Sequence, residues 1–280
     1  EIISKFIGDF CSKEKLHDII EKSYSSFSEK EVVKIREVED FQILELFHGP
    51  TLAFKDVAMQ LIGNFYEYYL SKTRKKINII VATSGDTGAA AIDAVKGKKN
   101  INIFVLHPNN RISPVQRMLM TTNPSKNVFN IAVEGNFDDC QTLVKQMFSD
   151  HNFSKSINMS GVNSINWARI IAQTVYYFFC YLRLDNNQKV SFSVPTGNFG
   201  DIYAGYLAAK MGLPIKNLVI ATNRNDVLHR MLTSGIYATR PIEPSLSASM
   251  DISISSNFER LLFDLYLRAS EKVVTLMVAF

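Results

Sequence analysis

Short apolar segments alternate with helical segments along the middle of the chain, and this alternation constrains the fold more than any other feature. Apolar runs typical of strands occupy Ile77 to Ala82, Ile101 to Leu106 and Val128 to Val133, and Ile157 to Met159 is a candidate fourth strand. Between them, apolar residues recur with helical spacing. Strands that are apolar throughout and separated by helices are typical of a parallel sheet covered on both faces. The pattern therefore predicts a small α/β domain over residues 77–160.

The same alternation returns in the second half of the chain. A long helix is predicted first, with Trp167, Ile171, Val175, Phe178 and Leu182 on one face. It is followed by strand Val190 to Val194, helix Asp201 to Met211, strand Leu218 to Ala221 and helix Val227 to Thr233. This second series predicts another α/β set of layers. The Ser- and Pro-rich stretch from Pro241 to Asn257 is predicted to be a long loop, and such loops in compact domains are more often functional or partly mobile than inert.

Composition removes several classes of function. With 280 residues and 46% hydrophobic side chains, the chain can bury a large core, and its length indicates roughly two domains of about 150 residues each. The net charge is only +4 and the basic residues are dispersed, so a nucleic-acid partner is not indicated. No apolar run is long enough to cross a bilayer, so a membrane partner is not expected either.

The cysteines argue against a disulfide framework. Cys11, Cys140 and Cys180 are odd in number, widely spaced and without a Cys-x-x-Cys pair, so neither disulfides nor a metal site are indicated. We therefore expect a reducing, cytoplasmic setting. The sequence leaves the oligomeric state open between monomer and homodimer.

A single lysine carries the main chemical prediction. In Phe47-His48-Gly49-Pro50-Thr51-Leu52-Ala53-Phe54-Lys55-Asp56, a Gly-Pro turn ends an extended run and a helix begins. Lys55 follows three apolar residues, and burial against them would lower the pKa of its amine because burial disfavours the charged form. A neutral amine is a nucleophile that can form a Schiff base with an aldehyde cofactor such as pyridoxal phosphate. The alternative is an ordinary lysine at the head of an amphipathic helix.

Two glycine-containing loops follow predicted strands and precede predicted helices. They are Ala82-Thr83-Ser84-Gly85-Asp86-Thr87-Gly88 and Pro195-Thr196-Gly197-Asn198-Phe199-Gly200-Asp201. Glycines allow a close approach of the backbone, and the free amides at a helix N-terminus favour an anion. Ligands bind at the carboxyl ends of strands in open α/β sheets. The alternative for the first loop is a tight turn with a Ser or Thr cap and no ligand.

Two further segments offer side chains to an anionic ligand. Asn163-Ser164-Ile165-Asn166-Trp167-Ala168-Arg169 stands at the head of the long helix, and Arg111-Ile112-Ser113-Pro114 precedes a shorter predicted helix. Arg169 favours a phosphate or a carboxylate because its guanidinium presents paired donors. The alternatives are a solvent-exposed arginine and, for the second segment, a simple helix start with proline in its first turn.

Four of these motifs, in this order, resemble those of the threonine synthases, pyridoxal-phosphate enzymes of the tryptophan-synthase-β fold type. They are His48-Gly49-Pro50-Thr51 with Phe54-Lys55-Asp56, Thr83 to Gly88, Asn163 to Asn166, and Gly197 to Asp201. The resemblance runs from about Phe6 to about Ser253. It implies an α/β protein with two parallel-sheet, three-layer domains, known as pyridoxal-phosphate fold type II. Residues 1–76 and 161–280 would then belong to the large cofactor-binding domain, and residues 77–160 would form the small one.

The resemblance also implies a role for each candidate residue. Lys55 would carry the cofactor, and Asp86 would contact the oxygen on its ring. The cofactor phosphate would be held by Gly197, Asn198, Phe199 and Gly200. The candidates for substrate binding are Thr83, Ser84, Thr87, Arg111, Ser113, Asn166 and Arg169, the last four of them for the substrate's phosphate.

The implied reaction converts O-phosphohomoserine and water to threonine and phosphate, the last step of threonine biosynthesis. Lys55 would be the proton carrier because it stands beside the substrate's Cα. A serine or threonine dehydratase of the same fold type is one alternative, and Arg169 distinguishes it because a dehydratase needs no second phosphate site. A non-catalytic relative that binds pyridoxal phosphate is another, although a binding protein would have no need of Lys55 as a nucleophile.

The resemblance lapses near the end of the chain. Threonine synthases place a Thr from a Gly-Thr-Ala-His-Pro stretch against the ring nitrogen of the cofactor, and no such stretch occurs here. The chain ends on the apolar run from Val273 to Phe280, which we expect to pack as a strand or helix. We therefore expect the natural protein to continue beyond Phe280, or residues to be missing near Arg268 and Ala269. Because the chain starts at Glu1 without a methionine, we expect its natural N-terminus to be missing as well.

Overall fold

The computed structural model describes residues 1–83, 85–122, 125–184 and 188–279. The chain separates into two compact units, Glu1–Ala168 and Arg169–Phe280. The division that we predict at residues 76 and 160 differs from this one and stays a prediction. Among the helices of the described residues, none has the length and apolar character needed to cross a membrane.

The first unit begins with a helix and a hairpin. These elements are α1 (Lys13–Tyr24), β1 (Lys34–Val38) and β2 (Phe41–Glu45), and the two strands pair antiparallel. Ser12 caps α1 by accepting a hydrogen bond from the N–H of Lys15. A Gly-Pro turn then leads into α2, Lys55–Thr73. The predicted helix is confirmed, and it begins at the lysine itself.

A four-stranded parallel sheet forms the centre of this unit. Its strands are β3 (Ile77–Ala82), β4 (Ile101–Pro108), β5 (Val128–Val133) and β6 (Met159–Ser160), in the spatial order β5-β4-β3-β6. All three pairings are parallel, with Ile79 opposite Ile103 in the pair of β3 and β4. The predicted sheet is confirmed. Its fourth strand starts at Met159 because Ile157 instead ends a short helix.

Helices cover both faces of this sheet. They are α2, α3 (Asp86–Val95), α4 (Pro114–Thr121), α5 (Phe137–Ser149) and the short α6 (His151–Ser156). Successive residues of a strand point to opposite faces. Ile79 accordingly lies in an apolar cluster with residues of α2 and α3, whereas its neighbour Ile80 packs with Cys140 and Val144 of α5. This arrangement explains why β3 and β4 carry apolar residues on both faces.

The second unit contains a parallel strand pair with its crossover helix. The elements here are α7 (Trp167–Leu182, whose first two residues belong to the first unit), β7 (Val190–Pro195), α8 (Gly200–Lys210), β8 (Ile215–Ala221) and α9 (Val227–Ser234). Strands β7 and β8 are parallel. Strand β8 begins three residues earlier than the sequence predicts, because Ile215 pairs with Val190.

The Ser- and Pro-rich segment from residue 241 to residue 257 is ordered by hydrogen bonds. It contains one short 3-10 turn, Ala248–Met250. The carboxylate of Asp251 accepts hydrogen bonds from the N–H and the hydroxyl of Ser245, at 2.9 and 2.7 Å, and from the amide of Asn223 at 2.7 Å. Helices α10 (Phe258–Leu265) and α11 (Ser270–Ala279) follow, so the predicted apolar run is helical as far as the structure describes it.

Candidate active site

The turn before α2 is tied to the first turn of that helix. The carboxylate of Asp56 accepts two hydrogen bonds from Thr51, one from its N–H at 2.8 Å and one from its hydroxyl at 2.7 Å. Asp56 is fully buried, and this burial raises the pKa of its carboxyl while the bonds from Thr51 oppose the rise. These hydrogen bonds join the turn to α2 and so fix the position of Lys55, the neighbour of Asp56.

Lys55 is buried beside a carboxylate and an aromatic ring. Lys55 is only 8% exposed, and its Nζ lies 3.3 Å from Oδ2 of Asp86. The same Nζ lies 4.6 Å from the ring centroid of Phe54. The sequence predicts burial against Leu52 as well, and this part is wrong because Leu52 is 73% exposed. The left-handed backbone of Leu52, with φ of 59°, belongs to the exposed turn that precedes the helix.

Asp86 is the first residue of α3, and its second carboxylate oxygen is also occupied. The side-chain amide of Gln116 on α4 donates to Oδ1 of Asp86 at 2.7 Å. Gln116 is held in turn by Ser113, whose hydroxyl donates to Oε1 of Gln116 at 3.0 Å and caps α4. The structure thus places Lys55, Asp86, Gln116 and Ser113 in one hydrogen-bonded chain. Sequence reasoning missed Gln116 because nothing in its spacing shows which neighbour of α4 it faces.

The loop between β3 and α3 uses its own side chain as a scaffold. The buried hydroxyl oxygen of Thr83 accepts hydrogen bonds from the N–H groups of Gly85 and Gly88, both at 2.9 Å. Gly85 has φ of 146°, and a Cβ there would overlap the side chain of Gln116, so only glycine fits. Thr87 is half-buried in the first turn of α3. Ser84, a predicted substrate-binding residue, lies outside the described residues.

The second glycine loop lies in the second unit, between β7 and α8. Phe199 precedes the helix with a left-handed backbone, φ of 63°, and within the described residues no side chain caps the N-terminus of α8. The ring of Phe199 is buried edge-on against Phe258, with centroids 5.4 Å apart. A Cβ on Gly197 would lie 3.3 Å from the carbonyl oxygen of Ser249 and from the sulfur of Met250. The loop therefore offers backbone amides, and its aromatic side chain serves as an anchor.

The other predicted anion-binding residues occupy different environments. Arg169 is 4% exposed, which excludes the solvent-exposed alternative, and burial lowers the pKa of its guanidinium to about 10. Asn166 caps α7, since its Oδ1 accepts a hydrogen bond from the N–H of Ala168 at 3.0 Å. Arg111 is exposed. The structure therefore gives Asn166 and Ser113 helix-capping roles besides the roles that the sequence predicts.

Sequence reasoning also missed a half-buried acid in the second unit. Asp201 lies in the first turn of α8, and Oδ1 of its carboxylate accepts hydrogen bonds from the hydroxyls of Tyr176 and Tyr177 on α7. Tyr177 also donates to the backbone carbonyl of Asp201 at 3.0 Å. Burial raises the pKa of the Asp201 carboxyl to about 6, although both tyrosine hydroxyls oppose this change. In the sequence, this contact is indicated only by the adjacent Tyr176 and Tyr177, which place two hydroxyl groups in an otherwise apolar helix.

Comparison with known proteins defines the class to which this fold and these loops belong. A family model described as pyridoxal-phosphate dependent enzyme matches residues 41–277. The chain therefore belongs to the pyridoxal-phosphate dependent enzyme family. The cofactor that the sequence predicts is the one by which this family is defined.

Within that family, the chain is similar to threonine synthases. It is 50% identical to the threonine synthase of Pseudomonas aeruginosa over 281 residues, covering all of this chain and 60% of that protein. It is 51% identical to that of Saccharomyces cerevisiae over 265 residues, covering 89% and 52%. The crystal structure of a pyridoxal-phosphate-bound threonine synthase from Brucella melitensis superposes with a TM-score of 0.92 at 50% identity, covering 98% of this chain and 60% of that one.

The chain thus spans between 52% and 60% of the length of these relatives. The predicted fold class, an α/β protein of pyridoxal-phosphate fold type II, is confirmed by the superposition. The predicted resemblance to threonine synthases is confirmed too.

Proposed function

We propose that this protein is a threonine synthase that carries pyridoxal phosphate on Lys55 and converts O-phosphohomoserine and water to threonine and phosphate. The observation that carries the proposal is the buried amine of Lys55, held 3.3 Å from Asp86 at the start of α2. Burial favours the neutral form of the amine, which attacks an aldehyde, while the carboxylate of Asp86 favours the ammonium form, which can donate a proton. The similarity to threonine synthases, 50% over the whole chain in one case, supports the choice of substrate.

Residues in each of the two units suit this cofactor. In the first unit, Lys55 supplies the amine, and Asp86 supplies a carboxylate for the polar edge of the ring. In the second unit, α8 begins without a side-chain cap in the described residues, so its first N–H groups suit the cofactor phosphate. A Cβ at Gly197 would press against Ser249 and Met250, so this position of the loop suits glycine.

In this proposal, side chains of the protein bind the substrate and transfer protons next to the bound pyridoxal phosphate. When bound, pyridoxal phosphate delocalises the negative charge that develops on the substrate carbons. Nζ of Lys55 takes the proton from Cα of the substrate and returns protons to the carbon chain. Asp86, fixed by Gln116, keeps that Nζ in place. Arg169 is our candidate for binding the substrate's phosphate, since a buried guanidinium forms strong paired hydrogen bonds with such an anion.

A direct assay tests this proposal. Purified protein is incubated with pyridoxal phosphate and O-phosphohomoserine, and both threonine and inorganic phosphate are measured. We expect the two products in equal amounts, and neither with a Lys55→Ala variant. Release of a 2-oxo acid from serine or threonine, with no phosphate from O-phosphohomoserine, would instead identify a dehydratase. Binding of pyridoxal phosphate with neither activity would identify a non-catalytic relative that binds the cofactor.

We further propose a cytoplasmic location. Cys11, Cys140 and Cys180 all carry free thiols, and Cys140 and Cys180 are buried. A reducing compartment preserves such thiols. The oligomeric state stays open, and gel filtration with light scattering would decide between a monomer and a homodimer.

A further inference from the structure

The end of the Ser- and Pro-rich segment holds two carbonyl groups of the glycine loop before α8. The hydroxyl of Ser255 donates to the carbonyl oxygen of Gly197 at 2.7 Å. The carbonyl oxygen of Asn198 accepts two hydrogen bonds from Asn257, one from its backbone N–H at 3.1 Å and one from its side-chain amide at 3.0 Å. Ser255 and Asn257 are 1% and 0% exposed. We call these two residues the carbonyl clamp.

The carbonyl clamp also determines where the loop's N–H groups point. A trans peptide unit is planar, so its C=O and its N–H point in opposite directions. The peptide unit with the carbonyl of Gly197 contains the N–H of Asn198, and the next unit contains the N–H of Phe199. Because both carbonyls are turned toward the clamp, both N–H groups are turned away from it. Two neighbouring N–H groups that face the same way form a concave site for an anion.

Neighbouring side chains fix the clamp itself. The hydroxyl of Tyr237 accepts a hydrogen bond from the N–H of Ser255 at 2.7 Å. Nε of Arg260 donates to Oδ1 of Asn257 at 2.9 Å, so the other end of that amide, Nδ2, is directed at Asn198. The clamp is therefore positioned before any ligand is bound.

Aromatic packing stabilises the same loop conformation. The left-handed backbone of Phe199 is uncommon for a residue with a side chain, and it persists only where the surroundings hold it. Here the ring of Phe199 packs on Phe258, and Phe258 stacks on Tyr237 with centroids 5.6 Å apart. The residue that bonds Ser255 thus also supports the ring that holds Phe199. The clamp and the aromatic stack favour one and the same arrangement of the loop.

We propose that Ser255 and Asn257 are positioning residues for the phosphate of the cofactor. By holding the carbonyls of Gly197 and Asn198, they aim the N–H groups of Asn198 and Phe199 at that phosphate. This inference rests on the proposed function, which places the cofactor phosphate at this loop. It also gives a role to the long loop from residue 241 to residue 257, which the sequence predicts to be either functional or partly mobile.

The test compares two ligands that differ only in the phosphate. Dissociation constants are measured for pyridoxal phosphate and for pyridoxal, which has the aldehyde but no phosphate, with Ser255→Ala, Asn257→Ala and the parent protein. The matched control is Ser245→Ala, because Ser245 lies in the same loop and bonds Asp251 instead. We expect the dissociation constant for pyridoxal phosphate to rise at least fivefold in Ser255→Ala and at least tenfold in Asn257→Ala. For pyridoxal, and in the control, it should change less than twofold.

A second readout does not depend on affinity. The ³¹P resonance of bound pyridoxal phosphate should shift in both clamp variants and keep its position in Ser245→Ala. Equal losses for the two ligands, or a Ser255→Ala variant that binds like the parent, would overturn the inference. If Asn257→Ala does not fold, Ser255→Ala decides, since it loses only one hydroxyl. A parent protein that binds neither ligand would refute the proposed function itself. If the parent prefers pyridoxal phosphate and the clamp variants keep that preference unchanged, only the role of the carbonyl clamp is refuted.

Discussion

Asp86 divides its two carboxylate oxygens between a cation and an amide. Oδ2 faces the Nζ of Lys55, and Oδ1 accepts the hydrogen bond from Gln116. Because each oxygen has its own partner, the carboxylate cannot rotate without breaking one of the two bonds. Gln116 therefore controls the orientation of Asp86, and through Asp86 it acts on Lys55.

Gln116→Leu should slow attachment of the cofactor. The variant keeps the size of the side chain and removes the donor to Asp86, a bond to a charged group worth about 1.5 to 3 kcal/mol, or about ten- to a hundredfold. The measurement is the rate at which the absorbance of bound pyridoxal phosphate appears after mixing. Gln146→Leu, an exposed glutamine on α5, is the control. An unchanged rate in Gln116→Leu would mean that Asp86 needs no help in holding Lys55.

Arg169→Ala should weaken binding of O-phosphohomoserine by about ten- to a hundredfold. A lost charge-assisted contact to a buried anion costs about 1.5 to 3 kcal/mol. Affinity for a phosphate-free amino acid should barely change. The control is Arg224→Ala, since Arg224 is largely exposed. If both ligands lose affinity equally, Arg169 binds the carboxylate or supports the fold of α7.

Among elements, α8 carries the most specific expectation. Gly200 is its first residue, and the helix begins directly after the glycine loop. Gly200→Val should weaken retention of pyridoxal phosphate far more than it lowers the melting temperature, because a branched side chain would stand where the phosphate approaches the backbone. Cofactor retained after dialysis is the readout. Ala209→Val on the same helix serves as the control, and a Gly200→Val variant that retains cofactor as well as the control does would give this loop another function.

The contact of α7 with α8 should make stability depend on pH. The pKa of Asp201 is raised to about 6 in the folded protein from 3.8, its ordinary value. The folded state therefore holds a proton that the unfolded chain releases, and stability falls as the pH rises from about 4 to about 6. The loss is about 3 kcal/mol, at about 1.4 kcal/mol for each pH unit between the two pKa values. It is complete above pH 6.

Asp201→Asn should remove this dependence. The comparison is the free energy of unfolding by urea, parent minus variant, at pH 4.5 and pH 6.5. We expect the difference to fall with rising pH. Other carboxyls, such as those of Asp226 and Asp264, have lowered pKa values and act in the opposite direction, but they cancel in the difference. A difference that is flat or rises with pH would show that the buried carboxyl is ionised throughout.

The sequence predicts the elements whose burial pattern is simple and misses those defined by tertiary contacts. Strands β3 and β4 bury apolar residues on both faces because helices cover both sides of them, so their bounds follow from composition. Helix α6 is short and polar, and only the cap by Asp150 marks it. In the candidate site, Lys55 and the glycine loops can be proposed from the sequence because local order along the chain defines them. Gln116 and the carbonyl clamp were not, since each depends on segments distant in sequence.

At the scale of the molecule, the two units carry different parts of the proposed chemistry. The first unit holds the buried amine of Lys55 with its carboxylate partner, and the second holds the loop of backbone donors before α8. Both parts belong to a chain that spans 52% to 60% of the length of its threonine synthase relatives. The proposed activity requires both parts, and the amine is the one without which no cofactor is attached.

Reduction of the protein with borohydride in the presence of pyridoxal phosphate, followed by peptide mass mapping of the whole chain, therefore tests the central proposal most directly. Reduction converts the bond between a lysine and the aldehyde into a stable amine, so every lysine of the molecule is surveyed at once. We expect the added mass on the peptide that contains Lys55, and its loss in a Lys55→Ala variant. Label on another lysine, with Lys55 unmodified, would contradict the proposal.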